Sequence, residues 1–163
     1  MRTGNPGHLR VLDYRGLHRY SLTFCTNNRS RLFTSTDVIT LVLAQISRAA
    51  SENQFAITAY CFMPDRLHLL VEGRSDGSDC KQFVARAKQY SGFHYSKVSY
   101  HVLWQRYGFE HVLRDEELSI VVARYILENP IRAGLVERVE AYPFAGSLEY
   151  AIEDLLTGLS RSG

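Results

Sequence analysis

Residues 63–73 have the sequence MPDRLHLLVEG, and this stretch decides the fold expected of the chain. The short apolar run that begins at Arg66 and closes at Gly73 is typical of a buried strand. Because side chains alternate along a strand, its two faces carry Leu67, Leu69 and Val71 on one side and Arg66, His68, Leu70 and Glu72 on the other. Buried polar groups are costly unless they are partnered, so the polar residues on the second face need an explanation.

His68 is a candidate metal ligand on that second face. Two histidines at positions i and i+2 of a strand point the same way and can hold one divalent ion, since imidazole suits manganese, zinc and similar metals. Here Arg66 stands at the first of these positions and His68 at the second. A lone histidine is more often a core or surface residue with ordinary hydrogen bonds, so the strand by itself leaves both interpretations open.

Length and composition indicate a single globular domain. The chain has 163 residues, of which 45% are hydrophobic and 22% charged, which is enough for a sizeable core. The domain is expected to span 1–163, with its core over about 17–150 and peripheral segments at 1–16 and 151–163. A net charge of +2 is too small to indicate nucleic-acid binding by itself.

The cysteines and the hydropathy pattern indicate a cytoplasmic setting. Cys25, Cys61 and Cys80 have no disulfide or metal-site spacing, which predicts reduced thiols that act as small hydrophobes. No apolar run approaches the roughly 20 residues that a membrane span needs. The first ten residues also lack the hydrophobic segment of a signal peptide.

The sequence predicts the element order β-α-β-β-α-β. Strands are expected at 20–26, 55–63, 66–73 and in the later part of 102–114, and helices at 36–52 and about 79–96. Pro64-Asp65 provides a tight turn that joins two of these strands as a hairpin. This order is that of the ferredoxin-like (RRM-like) α+β fold, which places the His68 strand in the middle of an antiparallel sheet with helices on one face.

An added C-terminal helix follows the ferredoxin-like unit. The acidic residues 115–117 place negative charge at a helix start, where the helix dipole favours it. Pro130 is expected to close or kink this helix, and a short tail helix is expected at 151–159. The added helix either covers the second face of the sheet or leaves that face open to a ligand.

Basic and aromatic residues alternate along the second predicted helix. This combination suits phosphates and unstacked bases, although a solvated charged face with aromatic residues in the core is the more common explanation. Trp104 is expected to anchor the core and is also a candidate contact. The candidate DNA-contacting residues are Arg29, Arg31, Arg66, Lys81, Arg86, Lys88, Lys97, Trp104, Arg106, Arg114 and Arg132.

Tyr125 and Asn129 are candidate functional residues on the added helix. Their spacing of four predicts that they project from the same helix face. Tyr125 lies on the apolar stripe, so a core tyrosine with its hydroxyl at the rim is one interpretation. The other is a nucleophile, since tyrosine can form covalent intermediates, with the Asn129 carbonyl oxygen directed to the same ion as His68.

Four segments of the chain together resemble a known family. They are YCFMPDRLHLLV at 60–71, LWQR at 103–106 with EHVLR at 110–114, YILENPIRAGLV at 125–136, and YPF at 142–144. Each is weak evidence alone, but four in this order are specific. The chain therefore resembles the REP-associated tyrosine transposases. These are a branch of the single-tyrosine HUH transposases of small insertion sequences, where HUH denotes two histidines around a bulky apolar residue.

The resemblance implies a metal-dependent reaction on single-stranded DNA, used in DNA transposition and recombination. A divalent ion, Mg²⁺ or Mn²⁺, is held by the two histidines and a third ligand, and it acts as a Lewis acid. The tyrosine cuts the strand beside a hairpin and leaves a 5′-phosphotyrosine and a free 3′-hydroxyl that can rejoin elsewhere. By resemblance, Tyr125 is the nucleophile, and His68 and Asn129 are metal ligands. The expected location is the cytoplasm, in association with the nucleoid, as a monomer or a homodimer.

Arg66 departs from the family pattern, which has histidine at this position. Arginine cannot ligate a metal, so three outcomes are open. The metal can be lost, which leaves a catalytically decayed module that binds hairpin DNA or RNA. Arg66 can contact the scissile phosphate, since a guanidinium matches phosphate geometry. A weakened ion site can also use His68, Asn129 and another group such as Glu72 or His111. A more remote alternative is a small-ligand domain with no nucleic-acid role.

Overall fold

The computed structural model describes residues 15–107, 109–113 and 119–161. In chain order, the elements are β1 Arg19–Cys25, α1 Thr36–Glu52, β2 Phe55–Met63, β3 Arg66–Gly73, α2 Cys80–Ser99, β4 Phe109–Leu113, α3 Ser119–Leu127, α4 Asn129–Arg132, β5 Ala145–Gly146 and α5 Ile152–Arg161. Within these residues, a five-stranded antiparallel sheet has the strand order β4-β1-β3-β2-β5.

The first four strands confirm the ferredoxin-like arrangement. β3 lies at the centre of the sheet, between β1 and β2, and both β2 and β3 have the predicted bounds. β5 pairs with Tyr60 and Cys61 of β2, and it was not predicted because two residues carry no periodic pattern. Two further backbone hydrogen bonds lie at this edge of β2. Phe62 N donates to Phe144 O across 2.8 Å, and Leu148 N donates to Ile57 O across 3.2 Å.

The ends of β3 are fixed by contacts with distant segments. At its start, the Pro64-Asp65 turn accepts hydrogen bonds from Phe33 N to Pro64 O at 3.0 Å and from Thr26 N to Asp65 O at 3.1 Å. At its end, a Cβ on Gly73 would lie 2.0 Å from the carbonyl oxygen of Gly16. Only glycine fits there, so the residue that closes the predicted strand also lets the chain before β1 cross it.

Helices α1 and α2 pack on one face of the sheet and form the larger core. Leu67, Leu69 and Val71 are fully buried on this face, as alternation predicts, and each contributes about 2 kcal/mol through removal of apolar surface from water. The side chain of Ser35 caps α1 by accepting from Val38 N.

Helix α3 covers the opposite face and forms a second core with β2, β3 and α5. Ala123, Ile126 and Leu127 of α3 are buried against Ala59 and Leu70 of the sheet, among others. Leu155 of α5 is 4% exposed in the same cluster, so the segment from 151 is part of a core rather than peripheral. In the part of the chain that is described, no helix is long and apolar enough to cross a membrane.

Candidate active site

His68 lies in a row of three side chains that crosses β1, β3 and β2. The strand register places Thr23 opposite His68 on one side and Cys61 opposite it on the other. Thr23 Oγ1 is 3.1 Å from His68 Nδ1, and Arg66 Nε donates to His68 Nε2 across 3.2 Å. Because Nε2 accepts, the neutral ring carries its proton on Nδ1 and donates it to Thr23.

Ion pairs hold Arg66 beside His68. Arg66 Nη1 is 2.7 Å from Asp65 Oδ1, and Arg29 Nη2 is 2.8 Å from Asp65 Oδ2. Burial opposes ionisation of the Asp65 carboxyl, but the hydrogen bonds and charges of the two arginines outweigh it and lower the pKa of Asp65. The carboxylate is therefore charged at neutral pH and fixes the guanidinium of Arg66 next to the imidazole.

The imidazole and the thiol of this row are neutral. Burial, together with the positive charges of Arg66 and Arg132, lowers the pKa of His68 to about 4. Burial raises the pKa of the Cys61 thiol to about 12, although the same two arginines act in the opposite direction. The charge of the site is therefore carried by arginine and aspartate side chains.

Tyr125 presents its phenol to solvent. It lies on α3, and 62% of the residue is exposed, so it is not a core tyrosine. The Arg132 guanidinium carbon is 3.7 Å from the centre of the Tyr125 ring, which is a cation–π contact. Arg132 Nη2 also donates to the Tyr125 carbonyl oxygen across 2.5 Å, and it thereby satisfies one of the last carbonyls of α3.

Asn129 is not on the same helix as Tyr125, so the prediction from their spacing is wrong. α3 ends at Leu127, and α4 begins at Asn129 with Pro130 in its first turn, where a missing N–H is tolerated. The break therefore falls at Glu128, two residues before Pro130 rather than at it. Asn129 Nδ2 donates to the Ile126 carbonyl across 3.2 Å. Among the described residues, Asn129 forms no hydrogen bond with His68.

Arg132 connects the tyrosine segment to the histidine strand. Its guanidinium stacks on Tyr125, and its charge acts on His68 and on Cys61. Two segments that are far apart in the sequence therefore meet on the second face of the sheet. The side chain that contacts Tyr125 is that of Arg132, whereas the Asn129 amide is bonded to Ile126.

This set of donors does not fit a divalent cation. The lone pair of His68 Nε2 already accepts from Arg66, whose guanidinium cannot ligate. Glu72 is four residues further along β3, about 13 Å away at about 3.3 Å per residue, so it cannot join His68. The His111 side chain lies outside the described part. Among the side chains that are described, no group of three or more His, Cys, Asp and Glu residues can hold a metal ion.

The candidate DNA-contacting residues divide between two surfaces. Arg29 and Arg66 share Asp65, and Arg132 lies at Tyr125, so these three gather around the candidate site, with Arg31 exposed two residues after Arg29. The second surface is α2, which packs on the other face of the sheet and carries Lys81, Arg86, Lys88 and Lys97. Arg106 is exposed, and Arg114 lies outside the described residues.

A groove of about 510 Å³ runs between α2 and residues 102–105. Lys88 and Phe93 line it, and Phe93 is 56% exposed. Residues 103–105 are bonded to the end of β1, because Gln105 N donates to Cys25 O across 3.0 Å. Since Cys25 pairs with Arg66 in the sheet, the groove borders the same end of the sheet as the candidate site.

Trp104 is a core residue that also lines this groove, so its role as a DNA contact stays a prediction. It is 8% exposed, and its Nε1 donates to Ser91 Oγ across 2.9 Å. Its ring packs edge-on against Phe24, with the ring centres 5.5 Å apart. The expectation that Trp104 anchors the core is confirmed, because its polar atom and its ring are both engaged inside the protein.

Sequence reasoning missed three side chains of the site, Thr23, Cys61 and Asp65. Asp65 carried a usable signal, since an acidic residue directly before the anomalous arginine can form an ion pair with it. Thr23 and Cys61 carried none, because their positions beside His68 depend on the register between strands, which the sequence leaves open.

Comparison with known proteins identifies the family of the chain. The model of the family described as "Transposase IS200 like" matches residues 15–129. A REP-associated tyrosine transposase of Haemophilus influenzae (strain ATCC 51907 / DSM 11121 / KW20 / Rd) is 25% identical over 147 residues, which is 77% of each chain.

Two solved structures show the same fold. One, a REP-associated tyrosine transposase bound to a REP hairpin, has a TM-score of 0.68 and 22% identity over 81% of this chain and 78% of that one. The other, a transposase from Deinococcus radiodurans R1, has a TM-score of 0.52 and 21% identity over 79% and 97%. Because the family model spans well over half of the sequence, the chain belongs to the IS200-like transposase family, as its resemblance to the HUH transposases predicted.

Proposed function

We propose that the protein binds single-stranded DNA that forms a hairpin, and that Tyr125 cuts and rejoins the strand beside it. The observation that carries this proposal is the exposed Tyr125, whose ring is stacked by the Arg132 guanidinium. Its helix, α3, packs on the face of the sheet that bears Cys61 and its register partner His68. The REP hairpin bound by the transposase of similar fold supports structured DNA as the ligand.

The basic groups offer a path for the DNA strand. In this proposal, the DNA strand runs from Tyr125 past Arg66 and Arg29 to the groove beside α2, which is lined by Lys88 and Phe93. Phe93 is 56% and Tyr107 72% exposed near this path, and aromatic faces of this kind stack with unpaired bases. This supports the interpretation of α2 as a nucleic-acid surface rather than a solvated helix face.

In the proposed reaction, Tyr125 Oη forms a bond to phosphorus, and the bond from phosphorus to the 3′ oxygen breaks. The phenolic proton passes to water because the phenol is exposed, and the departing oxygen takes up a proton to become a 3′-hydroxyl. The 5′-phosphotyrosine remains reactive, so a 3′-hydroxyl can later displace the tyrosine. Arg132 orients the ring through its stacked guanidinium.

A second candidate function is hairpin binding without cleavage. The hydrogen bond from Arg66 Nε to His68 Nε2 favours it, because this bond occupies the nitrogen that a metal-dependent transposase would use. In this case the protein retains the DNA surface of its family, and Tyr125 serves as a stacking residue. The ligand is then a DNA or RNA hairpin that is released unchanged.

A covalent-adduct assay tests both candidates. A labelled strand with a hairpin is incubated with the protein and Mg²⁺ or Mn²⁺, and a denaturing gel is examined for a protein–DNA adduct. Cleavage predicts an adduct in the wild type that is absent in Tyr125→Phe and retained in Tyr150→Phe, a matched control at another exposed tyrosine. Binding without an adduct supports the second candidate. An adduct that persists in Tyr125→Phe removes the assigned role, and absence of any binding overturns both candidates.

A further inference from the structure

We infer that Arg66 and Arg132 form an anion site that holds phosphate oxygens where the HUH transposases are expected to hold a divalent cation. The inference deepens the proposed function, because that function supplies nucleic-acid phosphate as the natural ligand. It concerns the chemistry of the site itself, in which a guanidinium replaces a metal ligand and also replaces the positive charge of the ion.

The Arg66 guanidinium is held in place by two hydrogen bonds and has a further N–H group that can donate to a ligand. Its Nε donates to His68, and its Nη1 donates to Asp65. No described residue accepts a hydrogen bond from its Nη2, and 29% of the side chain is exposed. Because a guanidinium presents its N–H groups in a rigid fork that matches phosphate, the two inner bonds direct the outer donors toward solvent at the site.

The Arg132 guanidinium supplies a second set of donors at the nucleophile. Its Nη2 is engaged by the Tyr125 carbonyl, and its plane is held by the Tyr125 ring. No described residue accepts a hydrogen bond from its Nε or Nη1. Ile131, the neighbour of Arg132 on α4, packs in the cluster that contains Cys61, and Cys61 lies opposite His68 in the sheet. α4 therefore places Arg132 on the face of the sheet that bears Arg66 and His68, and the volume of the site is the space over this face.

The charge balance of this volume favours an anion. Arg29, Arg66 and Arg132 contribute three positive charges, and Asp65, which pairs with two of them, contributes one negative charge. The difference is two positive charges, and His68 and Cys61 add none at neutral pH. A divalent cation would be repelled at close range by these groups, whereas a phosphodiester would be attracted.

The test uses inorganic phosphate and Mn²⁺ on the intact protein. Thermal unfolding is followed in phosphate and in chloride at equal ionic strength, and Mn²⁺ binding is followed by electron paramagnetic resonance. Phosphate is expected to raise the Tm of the wild type, and no equivalent of Mn²⁺ is expected to bind at His68. Arg66→Gln should raise the half-saturating phosphate concentration by about tenfold or more, as expected for a lost charged hydrogen bond.

Arg48→Gln is the matched control, because Arg48 is an exposed arginine on α1 that pairs with Glu52 and stacks on Tyr90. It should leave the phosphate response unchanged. Circular dichroism checks folding. If Arg66→Gln does not fold, Arg66→Lys replaces it, and its phosphate response should also weaken because lysine lacks the planar guanidinium. Stabilisation that is equal in Arg66→Gln, or one equivalent of Mn²⁺ that is lost in His68→Ala, would overturn the inference.

These readouts involve no DNA, so they separate the two proposals. A phosphate response that depends on Arg66, in a protein that binds no hairpin, refutes the proposed function and leaves the anion site standing. Hairpin binding by a protein that also binds Mn²⁺ at His68 supports the proposed function and refutes the anion site.

Discussion

Arg66 and His68, two residues apart on β3, are joined by a hydrogen bond of 3.2 Å from the guanidinium Nε to the imidazole Nε2. The side chain that replaces a metal-ligating histidine therefore also binds the nitrogen through which its neighbour would reach a metal. This requires a neutral imidazole, which agrees with the burial and positive charge that lower the pKa of His68 to about 4.

Removal of the Arg66 charge should raise the pKa of His68. In Arg66→Gln, one of the two arginines that disfavour the imidazolium is gone, while burial and Arg132 remain. The pKa is therefore expected to move toward the ordinary value of 6.5 without reaching it. An NMR titration of the ring protons measures this shift, and an unchanged His68 titration in Arg66→Gln would refute the coupling. Arg48→Gln should give the wild-type curve.

The stability of the protein should fall in acid partly because of His68. Between pH 6.5 and about 4, the unfolded chain binds a proton at this residue that the folded protein does not, so unfolding is favoured as the pH falls. At 1.36 kcal/mol per unit, the loss is about 3 kcal/mol. Urea unfolding at several pH values should show a shallower decline in His68→Gln. Identical slopes in the two proteins would contradict the assignment.

Arg66→His should create a metal site where the wild type has none. The change restores the family's pair of histidines and removes the guanidinium from His68 Nε2. We expect Mn²⁺ binding, detected by electron paramagnetic resonance, and more covalent DNA adduct in the presence of the ion. Arg66→Gln is the matched control that removes the arginine without adding a ligand. If Arg66→His binds no more Mn²⁺ than this control, the histidine row does not have ligand geometry.

Arg132→Lys should weaken hairpin binding with little effect on folding. The change keeps the charge but loses the planar group that stacks on Tyr125 and donates to its carbonyl. Because Arg132 is exposed, the free energy of unfolding should change by less than about 1 kcal/mol. Affinity for a labelled hairpin should fall about tenfold. Equal affinities measured by fluorescence anisotropy would remove Arg132 from the DNA surface.

Tyr142→Phe should destabilise the protein. The Tyr142 hydroxyl donates to the Phe62 carbonyl oxygen across 2.5 Å inside the second core, and its loss leaves a buried acceptor unpaired at a cost of about 1–3 kcal/mol. Urea unfolding measures the change. Tyr150→Phe, at an exposed position, should cost less than about 0.5 kcal/mol. Similar values for both variants would show that the bond contributes nothing.

The sheet could be predicted from the sequence because its signals are local. Short runs of mainly apolar residues predicted β2 and β3 at their observed bounds, and Pro64-Asp65 predicted the turn between them. β4 was predicted only as the later part of 102–114, because Gly108 interrupts a long aromatic stretch. β5 has two residues, too few for any period to be detected.

The site could be predicted only in part, because its contacts join distant segments. His68 and Tyr125 were identified by resemblance, and the structure brings their segments to one face. The role of Asn129 rested on a continuous helix, which Glu128 breaks with φ −90° and ψ 0°. Arg132 was expected to contact DNA, but no spacing rule predicts that it folds back on Tyr125. Such contacts follow from tertiary packing rather than from periodicity.

The segment from Tyr142 to Leu148 has a consequence for self-association. Bonds from Phe144, β5 and Leu148 occupy the outer backbone groups of β2 between Ile57 and Phe62, which would otherwise be a template for a strand of another molecule. The chain thus satisfies the backbone hydrogen bonds on this edge of β2 with its own segment 144–148. A dimer formed by continuing the sheet through β2 would first have to displace that segment.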